Sequence, residues 1–197
     1  MKCDIVLAGV GGQGVLSVAT AIATCAMQEG FRFKQSEVHG MAQRGGAVMA
    51  SLRISREEIA SDLIPMGTAS MILSMEPMES LRYLPYLSTQ GRLVTSANPV
   101  RNIPDYPALE VLLETIRTLP GAILVDAEKL ARDAGSVRAT NMVVVGAAMQ
   151  FLPFRSETVE NAVVAIFASK GGRIVETNLR ALHAGRAASE LMHRSHP

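Results

Sequence analysis

The chain has 197 residues, of which 48% are hydrophobic and 19% are charged, so it can bury a core of its own and is not an intrinsically disordered protein. Its formal net charge of +1 at pH 7 gives no indication of a nucleic-acid partner. No apolar run reaches the roughly 20 residues of a membrane-spanning helix, and no signal sequence precedes the first strand, so we expect a cytoplasmic protein of one domain.

Hydrophobic periodicity divides the chain into an α/β core, residues 1–127, and a mainly helical part, residues 128–197. The predicted strands are 2–7, 31–36, 47–54, 69–74, 92–96 and 122–126. The predicted helices are 15–28, 76–87, 108–119, 127–134, 141–151, 156–168 and 175–192, and a loop rich in proline covers 98–107. This alternation predicts a Rossmann-like, doubly wound and mostly parallel sheet with a helical C-terminal portion. The first two strands are expected to be parallel and joined by a right-handed crossover.

A glycine-rich turn separates the first predicted strand from the first helix. Its spacing, Gly9-x-Gly11-x-x-Gly14, matches the fingerprint of dinucleotide-binding turns. Glycine allows positive φ and a close approach of a ligand, and the free N–H groups at a helix start attract anions. Gln13 adds a side-chain amide at the same place. The turn is therefore a candidate cofactor site, with Gly12 as a further member.

A second polar and glycine-rich loop, residues 37–46, follows the second predicted strand. Because the carboxyl ends of parallel strands lie at one edge of a sheet, this loop should converge on the glycine turn. Arg44 suits a phosphate or a carboxylate, which its guanidinium can bind through two hydrogen bonds. Glu37 stands about 20 residues after the turn, where a ribose-binding acid is found in dinucleotide sites. The candidate binding residues in this loop are Glu37, His39, Gln43, Arg44, Gly45 and Gly46.

These residues leave three interpretations open. The turn could bind a nicotinamide or flavin nucleotide in an autonomous oxidoreductase, it could line a site that another subunit completes, or its glycines could serve only to pack a strand against a helix. No nucleophile stands beside His39, for which an orienting role is expected. Cys3 and Cys25 are predicted to be buried thiols, and two cysteines cannot supply the four thiolates of an iron–sulfur cluster.

Three further positions are informative in the helical part. Thr140 or Asn141 is expected to cap an apolar helix. Gly146, which two alanines follow, indicates a close contact between helices. Asn178 is expected either to cap a helix or to form a buried hydrogen bond.

Taken together, these motifs resemble the gamma-type subunits of 2-oxoacid:ferredoxin oxidoreductases. The resemblance rests on Gly-Val-Gly-Gly-Gln-Gly at 9–14, on His-Gly-Met-Ala-Gln-Arg-Gly-Gly at 39–46, on Asn141 with Gly146, and on Asn178 with Gly185. The second motif is most similar to the small, beta-type subunits of indolepyruvate:ferredoxin oxidoreductases. Leu182 departs from the pattern, because a phenylalanine is expected there.

The resemblance implies that the chain is one subunit of an enzyme that converts an arylpyruvate, CoA and oxidised ferredoxin into an aryl-acetyl-CoA, CO2 and reduced ferredoxin. A large partner subunit would hold thiamine diphosphate, Mg and 4Fe-4S clusters, and this chain alone would hold none of them. No catalytic residue is expected in this chain alone. Its glycine turn and Arg44 would belong to the side of the site that binds CoA.

Overall fold

A six-stranded sheet forms the centre of the computed structural model, which describes residues 2–39 and 45–195. The strand order is β2-β3-β1-β4-β5-β6. The strands are β1 (Lys2–Val10), β2 (Arg32–His39), β3 (Ala47–Ser55), β4 (Ala69–Ser74), β5 (Leu87–Ser96) and β6 (Ile123–Val125). Five of them run in one direction, whereas β3 is antiparallel to both of its neighbours, β1 and β2. The predicted α/β class with a mostly parallel sheet is therefore confirmed.

Helices cover both faces of this sheet. They are α1 (Val15–Gln28), α2 (Pro77–Arg82), α3 (Leu109–Thr118), α4 (Ala127–Asp133), α5 (Thr140–Ala148), α6 (Ser156–Phe167) and α7 (Gly172–Ser195). Short 3-10 turns occur at Leu84–Tyr86, Val137–Ala139, Met149–Phe151 and Ala168–Lys170. Within residues 2–39 and 45–195, none of the helices is long and apolar enough to cross a membrane.

Alternating side chains of each strand contribute to the two halves of the core. Ile5 and Leu7 of β1 face the larger half, which they form with α1, α5, α6 and α7. Val6, between them in sequence, faces the smaller half together with Ile72 of β4 and Ile116 of α3. This period of two is what a strand that is buried on both faces requires.

The pairing of the first two strands differs from the prediction. β1 and β2 run in the same direction, as expected, but they are not neighbours because β3 lies between them. The reason is the β2–β3 hairpin, which pairs in register from Arg32 with Ser55 to His39 with Val48. β3 then pairs along the whole of β1, so the crossover through α1 connects β1 to a strand two positions away in the sheet.

The predicted helix 76–87 is too long. Helix α2 ends at Arg82, and after the short turn Leu84–Tyr86 the chain enters β5 at Leu87. Pro85 explains this difference, because proline has no N–H group for a helical bond and restricts the residue before it.

Helices α5 and α7 cross at contact distance between their backbones. A Cβ atom at Gly146 would lie 1.9 Å from the carbonyl oxygen of Leu182, and one at Gly185 would lie 1.9 Å from the carbonyl oxygen of Val143. Only glycine fits at either position, so the close helix contact expected at Gly146 is confirmed. Asn178 is buried and donates through Nδ2 to the carbonyl oxygen of Ile174 at 2.8 Å, which is the second of its two predicted roles.

A buried ion pair anchors residues 56–68 over the smaller half of the core. Asp4, only 1% exposed, lies opposite Arg53 and accepts two hydrogen bonds from its guanidinium, at 3.0 and 3.1 Å. The remaining nitrogen of Arg53 donates to the carbonyl oxygens of Ser61 at 3.0 Å and Leu63 at 2.9 Å. Arg53, together with Lys2 at 3.0 Å, thus neutralises the buried carboxylate, and Arg53 also fixes a segment without secondary structure of its own.

Candidate functional site

The glycine turn lies at the carboxyl edge of the sheet, between β1 and α1. Helix α1 begins at Val15 after Gly14, whose φ of 81° is in the left-handed region, and no side chain caps the helix start. Gln13 accepts a hydrogen bond from the amide of Val10 at 2.8 Å and donates to the carbonyl oxygen of Met75 at 3.0 Å. Its side chain therefore ties the turn to the end of β4, the neighbouring strand.

The glycines of the turn have different physical roles. A Cβ atom at Gly9 would meet Val15 at 2.8 Å and Met75 at 3.1 Å, so this glycine is required by packing. Gly12 has a φ of 102°, and none of the described residues has an atom within 4 Å of the position that its Cβ atom would take. Its φ favours glycine, and the described residues leave its backbone uncovered.

The second glycine pair meets the first turn through the backbone. The amide of Gly11 donates to the carbonyl oxygen of Gly46 at 2.8 Å, and the amide of Gly45 donates to the carbonyl oxygen of Gly11 at 3.5 Å. The two glycine motifs therefore form one structural unit at the carboxyl edge. The side chain of His39 and the predicted binding residues Gln43 and Arg44 lie outside the described part of the chain.

Glu37 is placed at the outer strand of the sheet. Its exposed carboxylate accepts a hydrogen bond from Gln35 at 2.6 Å. Because β3 lies between β2 and β1, the backbone of Glu37 is two strand spacings, roughly 10 Å, from β1. In dinucleotide-binding folds the strand that carries the ribose-binding acid is the direct neighbour of the first strand. This topology does not favour a ribose-binding role, and binding by Glu37 stays a prediction.

A strap, which we define as residues 97–108, crosses the carboxyl edge next to the glycine unit. Glu76, which is 0% exposed, caps α2 by accepting the amide of Glu79 at 2.8 Å. Its other oxygen accepts from the amide of Val100 at 3.3 Å and from the hydroxyl of Tyr106. Burial and the adjacent Glu76 carboxylate raise the pKa of Tyr106, which keeps its hydroxyl protonated as a donor.

The middle of the strap reaches the second glycine pair. Asn102 donates through Nδ2 to the carbonyl oxygen of Gly45 at 2.6 Å. Its Oδ1 atom is buried and has no hydrogen-bond partner among the residues that the structure describes. Sequence reasoning missed Glu76, Asn102 and Tyr106, because each is paired with a residue far away along the chain.

Asn141 lies where the start of α5 meets the glycine turn. Its Nδ2 atom would be 3.2 Å from a Cβ atom at Gly14, and its Oδ1 atom accepts from the amide of Met142 at 3.0 Å. The prediction that Thr140 or Asn141 caps this helix is wrong, since the helix starts at Thr140 and Ala139 occupies the cap position. The Asn141 amide instead adds a donor beside the start of α1.

Comparison with known proteins decides the family. The family described as pyruvate ferredoxin/flavodoxin oxidoreductase matches residues 4–188. The chain belongs to this family. Indolepyruvate oxidoreductase subunit IorB of Thermococcus kodakarensis is 36% identical over 200 residues, which cover 96% of this chain and 97% of the relative. The predicted resemblance is confirmed, and so is the interpretation of the chain as a subunit of a 2-oxoacid oxidoreductase.

Solved structures of this family share the fold. The gamma subunit of a keto/oxoacid ferredoxin oxidoreductase from Geobacter sulfurreducens superposes with a TM-score of 0.69 at 24% identity, over 96% of this chain and 99% of that one. The 2-oxoglutarate:ferredoxin oxidoreductase from Magnetococcus marinus, solved with 2-oxoglutarate, coenzyme A and succinyl-CoA bound, superposes with a TM-score of 0.76 at 20% identity. It matches 96% of this chain but only 31% of the longer one, so the same unit also occurs within a larger polypeptide.

The chemistry of the available side chains bears on the cofactors of such enzymes. Among residues 2–39 and 45–195, no three His, Cys, Asp or Glu side chains are grouped so as to hold a metal ion. Cys3 and Cys25 are buried, and burial raises the pKa of Cys3 to about 11 and that of Cys25 to about 12. Neither thiol is available as a thiolate ligand at neutral pH. What the carboxyl edge offers is main-chain and amide donors around an open glycine backbone.

Proposed function

We propose that the chain is the small subunit of an indolepyruvate:ferredoxin oxidoreductase. In the overall reaction an arylpyruvate loses CO2, its acyl group is transferred to the thiol of CoA, and two electrons reduce ferredoxin. The observation that carries this proposal is the full-length similarity to IorB, which spans 96% of this chain and 97% of the relative.

The proposal assigns thiamine diphosphate, Mg and the 4Fe-4S clusters to a large partner subunit, which also delivers electrons to ferredoxin. The residues of this chain support that division. Its two cysteines are half the number that one cluster with four thiolate ligands needs, and both lie in the core. Reduction of ferredoxin thus requires groups that the partner brings.

The part of the reaction that we assign to this chain is the binding of CoA. The described residues leave the backbone of Gly12 uncovered, and the uncapped start of α1 and the Asn141 amide supply donors for an anion. Two exposed arginines are close in sequence to residues of this edge: Arg101 belongs to the strap, and Arg138 precedes Asn141 by three residues. Positively charged side chains of this kind attract phosphate groups such as those of CoA. The Magnetococcus marinus enzyme, which contains the same fold, was solved with coenzyme A bound.

Reconstitution tests the proposal directly. The chain should be co-expressed with its large subunit and assayed with arylpyruvates and other 2-oxoacids, with and without CoA and ferredoxin. We expect ferredoxin reduction that depends on CoA and is fastest with an arylpyruvate. Reduction that does not require CoA, or saturable binding of NAD(H) or FAD by the isolated chain at micromolar concentration, would refute the proposal.

A matched pair of glycine variants tests the assignment of the CoA side. Gly12 and Gly30 both have positive φ, 102° and 70°, and at neither does a described residue have an atom within 4 Å of the Cβ position. Gly12→Ala and Gly30→Ala therefore carry similar backbone strain, on the order of 1–2 kcal/mol. Only Gly12→Ala, at the site, should raise the KM for CoA, by about tenfold or more. Equal KM values for the two variants would remove the glycine turn from the CoA side while leaving the subunit assignment intact.

A further inference from the structure

The hydrogen bonds around the carboxyl edge form a closed circuit. On one side, Gln13 links the glycine turn to the carbonyl oxygen of Met75. Glu76, the next residue, holds the strap through Val100 and Tyr106. The strap in turn holds the carbonyl oxygen of Gly45 through Asn102, and Gly45 and Gly46 return to the glycine turn at Gly11.

Within this circuit, the strap depends on few contacts. One carboxylate oxygen of Glu76 accepts hydrogen bonds from both the Val100 amide and the Tyr106 hydroxyl, while the other accepts the bond that caps α2. Within residues 2–39 and 45–195, the hydrogen bond that joins the strap to the glycine unit is the one of 2.6 Å from Asn102. The first end of the strap is fixed separately, because Asn98 donates to Asp126 at 3.0 Å and accepts from the amide of Glu128 at 2.9 Å. Loss of the Tyr106 hydroxyl or the Asn102 amide should thus release the middle of the strap without detaching its start.

We propose that Tyr106 and Asn102 are positioning residues for CoA. They hold the strap between Glu76 and Gly45, and through Gly45 and Gly46 they keep the glycine turn in the geometry that binds the ligand. Neither residue needs to touch CoA for this effect, because both act through the backbone of the second glycine pair. The inference rests on the proposed function, since it concerns the same site.

The test is a steady-state comparison in the reconstituted two-subunit enzyme. Tyr106→Phe removes one hydroxyl, and Asn102→Ala removes the donor to Gly45. Tyr86→Phe is the matched control, because Tyr86 lies just before the start of β5, whereas the strap follows the other end of this strand. Each of the two strap variants should raise the KM for CoA about three- to tenfold, the effect of one lost hydrogen bond, with the KM for the arylpyruvate and kcat within twofold of wild type. Tyr86→Phe should change none of these values.

Two further readouts separate positioning from a merely structural role. Hydrogen exchange of the full chain should become faster at the amides of residues 10–16 in Tyr106→Phe but not in Tyr86→Phe. The double variant should raise the KM for CoA no further than the larger single effect, because both changes release one strap.

The outcomes distinguish this inference from the function on which it rests. A lower melting temperature with an unchanged KM for CoA, or unchanged exchange at residues 10–16, would overturn the positioning role and leave the proposed function standing. Multiplicative effects in the double variant would also overturn it, because the two residues would then act independently. A wild-type complex without CoA-dependent turnover would overturn both.

Discussion

Replacement of Gly146 by alanine should destabilise the protein strongly, although alanine is the better helix former. The added Cβ atom would lie 1.9 Å from the carbonyl oxygen of Leu182, whereas real Cβ atoms stay at least 3.0 Å from other heavy atoms. The obstacle is backbone, so no side-chain rotation relieves it, and α5 and α7 must separate by about 1 Å or more. Overpacking of this kind costs about 3 kcal/mol, the upper part of the usual range, which outweighs the roughly 1 kcal/mol gained in helix propensity.

Gly172→Ala provides the matched control. Gly172 is the first residue of α7, and no atom of residues 2–39 or 45–195 lies within 4 Å of its Cβ position. We expect the free energy of unfolding of this variant to exceed that of wild type by no more than about 1 kcal/mol. The melting temperature of Gly146→Ala, followed by circular dichroism, should fall by about 4–8 °C, since the net cost is about 2 kcal/mol and each kcal/mol shifts a chain of this size by roughly 2–4 °C. Equal melting temperatures for the two variants would refute the assignment of Gly146 to a backbone-to-backbone crossing.

Three more perturbations follow from buried polar groups and thiols. Arg53→Met removes both Arg53 hydrogen bonds from the buried Asp4 carboxylate and leaves it the exposed Lys2 ammonium group, 3.0 Å away. It should lower the free energy of unfolding in urea by about 3 kcal/mol, the low end of the range for a broken buried pair because Lys2 compensates in part, and a loss below about 1 kcal/mol would contradict the pairing. Burial raises the pKa of Glu79, so its protonated form favours folding at low pH and this contribution is lost as the pH rises through the raised value. The stability of Glu79→Gln relative to wild type should therefore increase between pH 4 and pH 7, measured by urea unfolding at each pH, and a flat difference would argue against a raised pKa. Ellman's reagent at pH 8 should titrate neither Cys3 nor Cys25 until urea unfolds the chain, since both thiols are buried with pKa values of about 11 and 12; rapid labelling of the native chain would show an accessible thiol.

Short-range sequence signals were sufficient to predict the bounds of helix α1 and strand β4. Helix α1 was predicted with its observed bounds, Val15–Gln28, because Gly14 precedes it and Gly30 follows it closely. Strand β4, Ala69–Ser74, is a short apolar run that is buried almost throughout, and it too has the predicted bounds. The first half of β5 was missed, since its residues are partly or fully exposed and show no apolar alternation. The predicted location in the cytoplasm stays a prediction.

The strand order and the strap could not be predicted from the sequence. The insertion of β3 between β1 and β2 depends on pairing across the whole sheet, and each strand segment alone fits several positions. Glu76 was assigned to the start of a helix and Asn102 to a loop rich in proline, yet their contacts are 24 and 57 residues away along the chain. The glycine motifs gave the location of the candidate site, whereas the groups that hold it together have no local pattern.

The antiparallel strand β3 determines at which edge of the sheet the chain connects β2 to β3. Because β2 and β3 form a hairpin, the connection between His39 and Ala47 opens at the same edge as the glycine turn. A crossover to a parallel strand would instead have carried the chain to the opposite edge. A hairpin connection can gain, lose or exchange residues while the strand register from Arg32 to Ser55 is kept. Substitutions in this connection should therefore cost little in folding, so the sequence beside the glycine turn and the stability of the sheet can change separately.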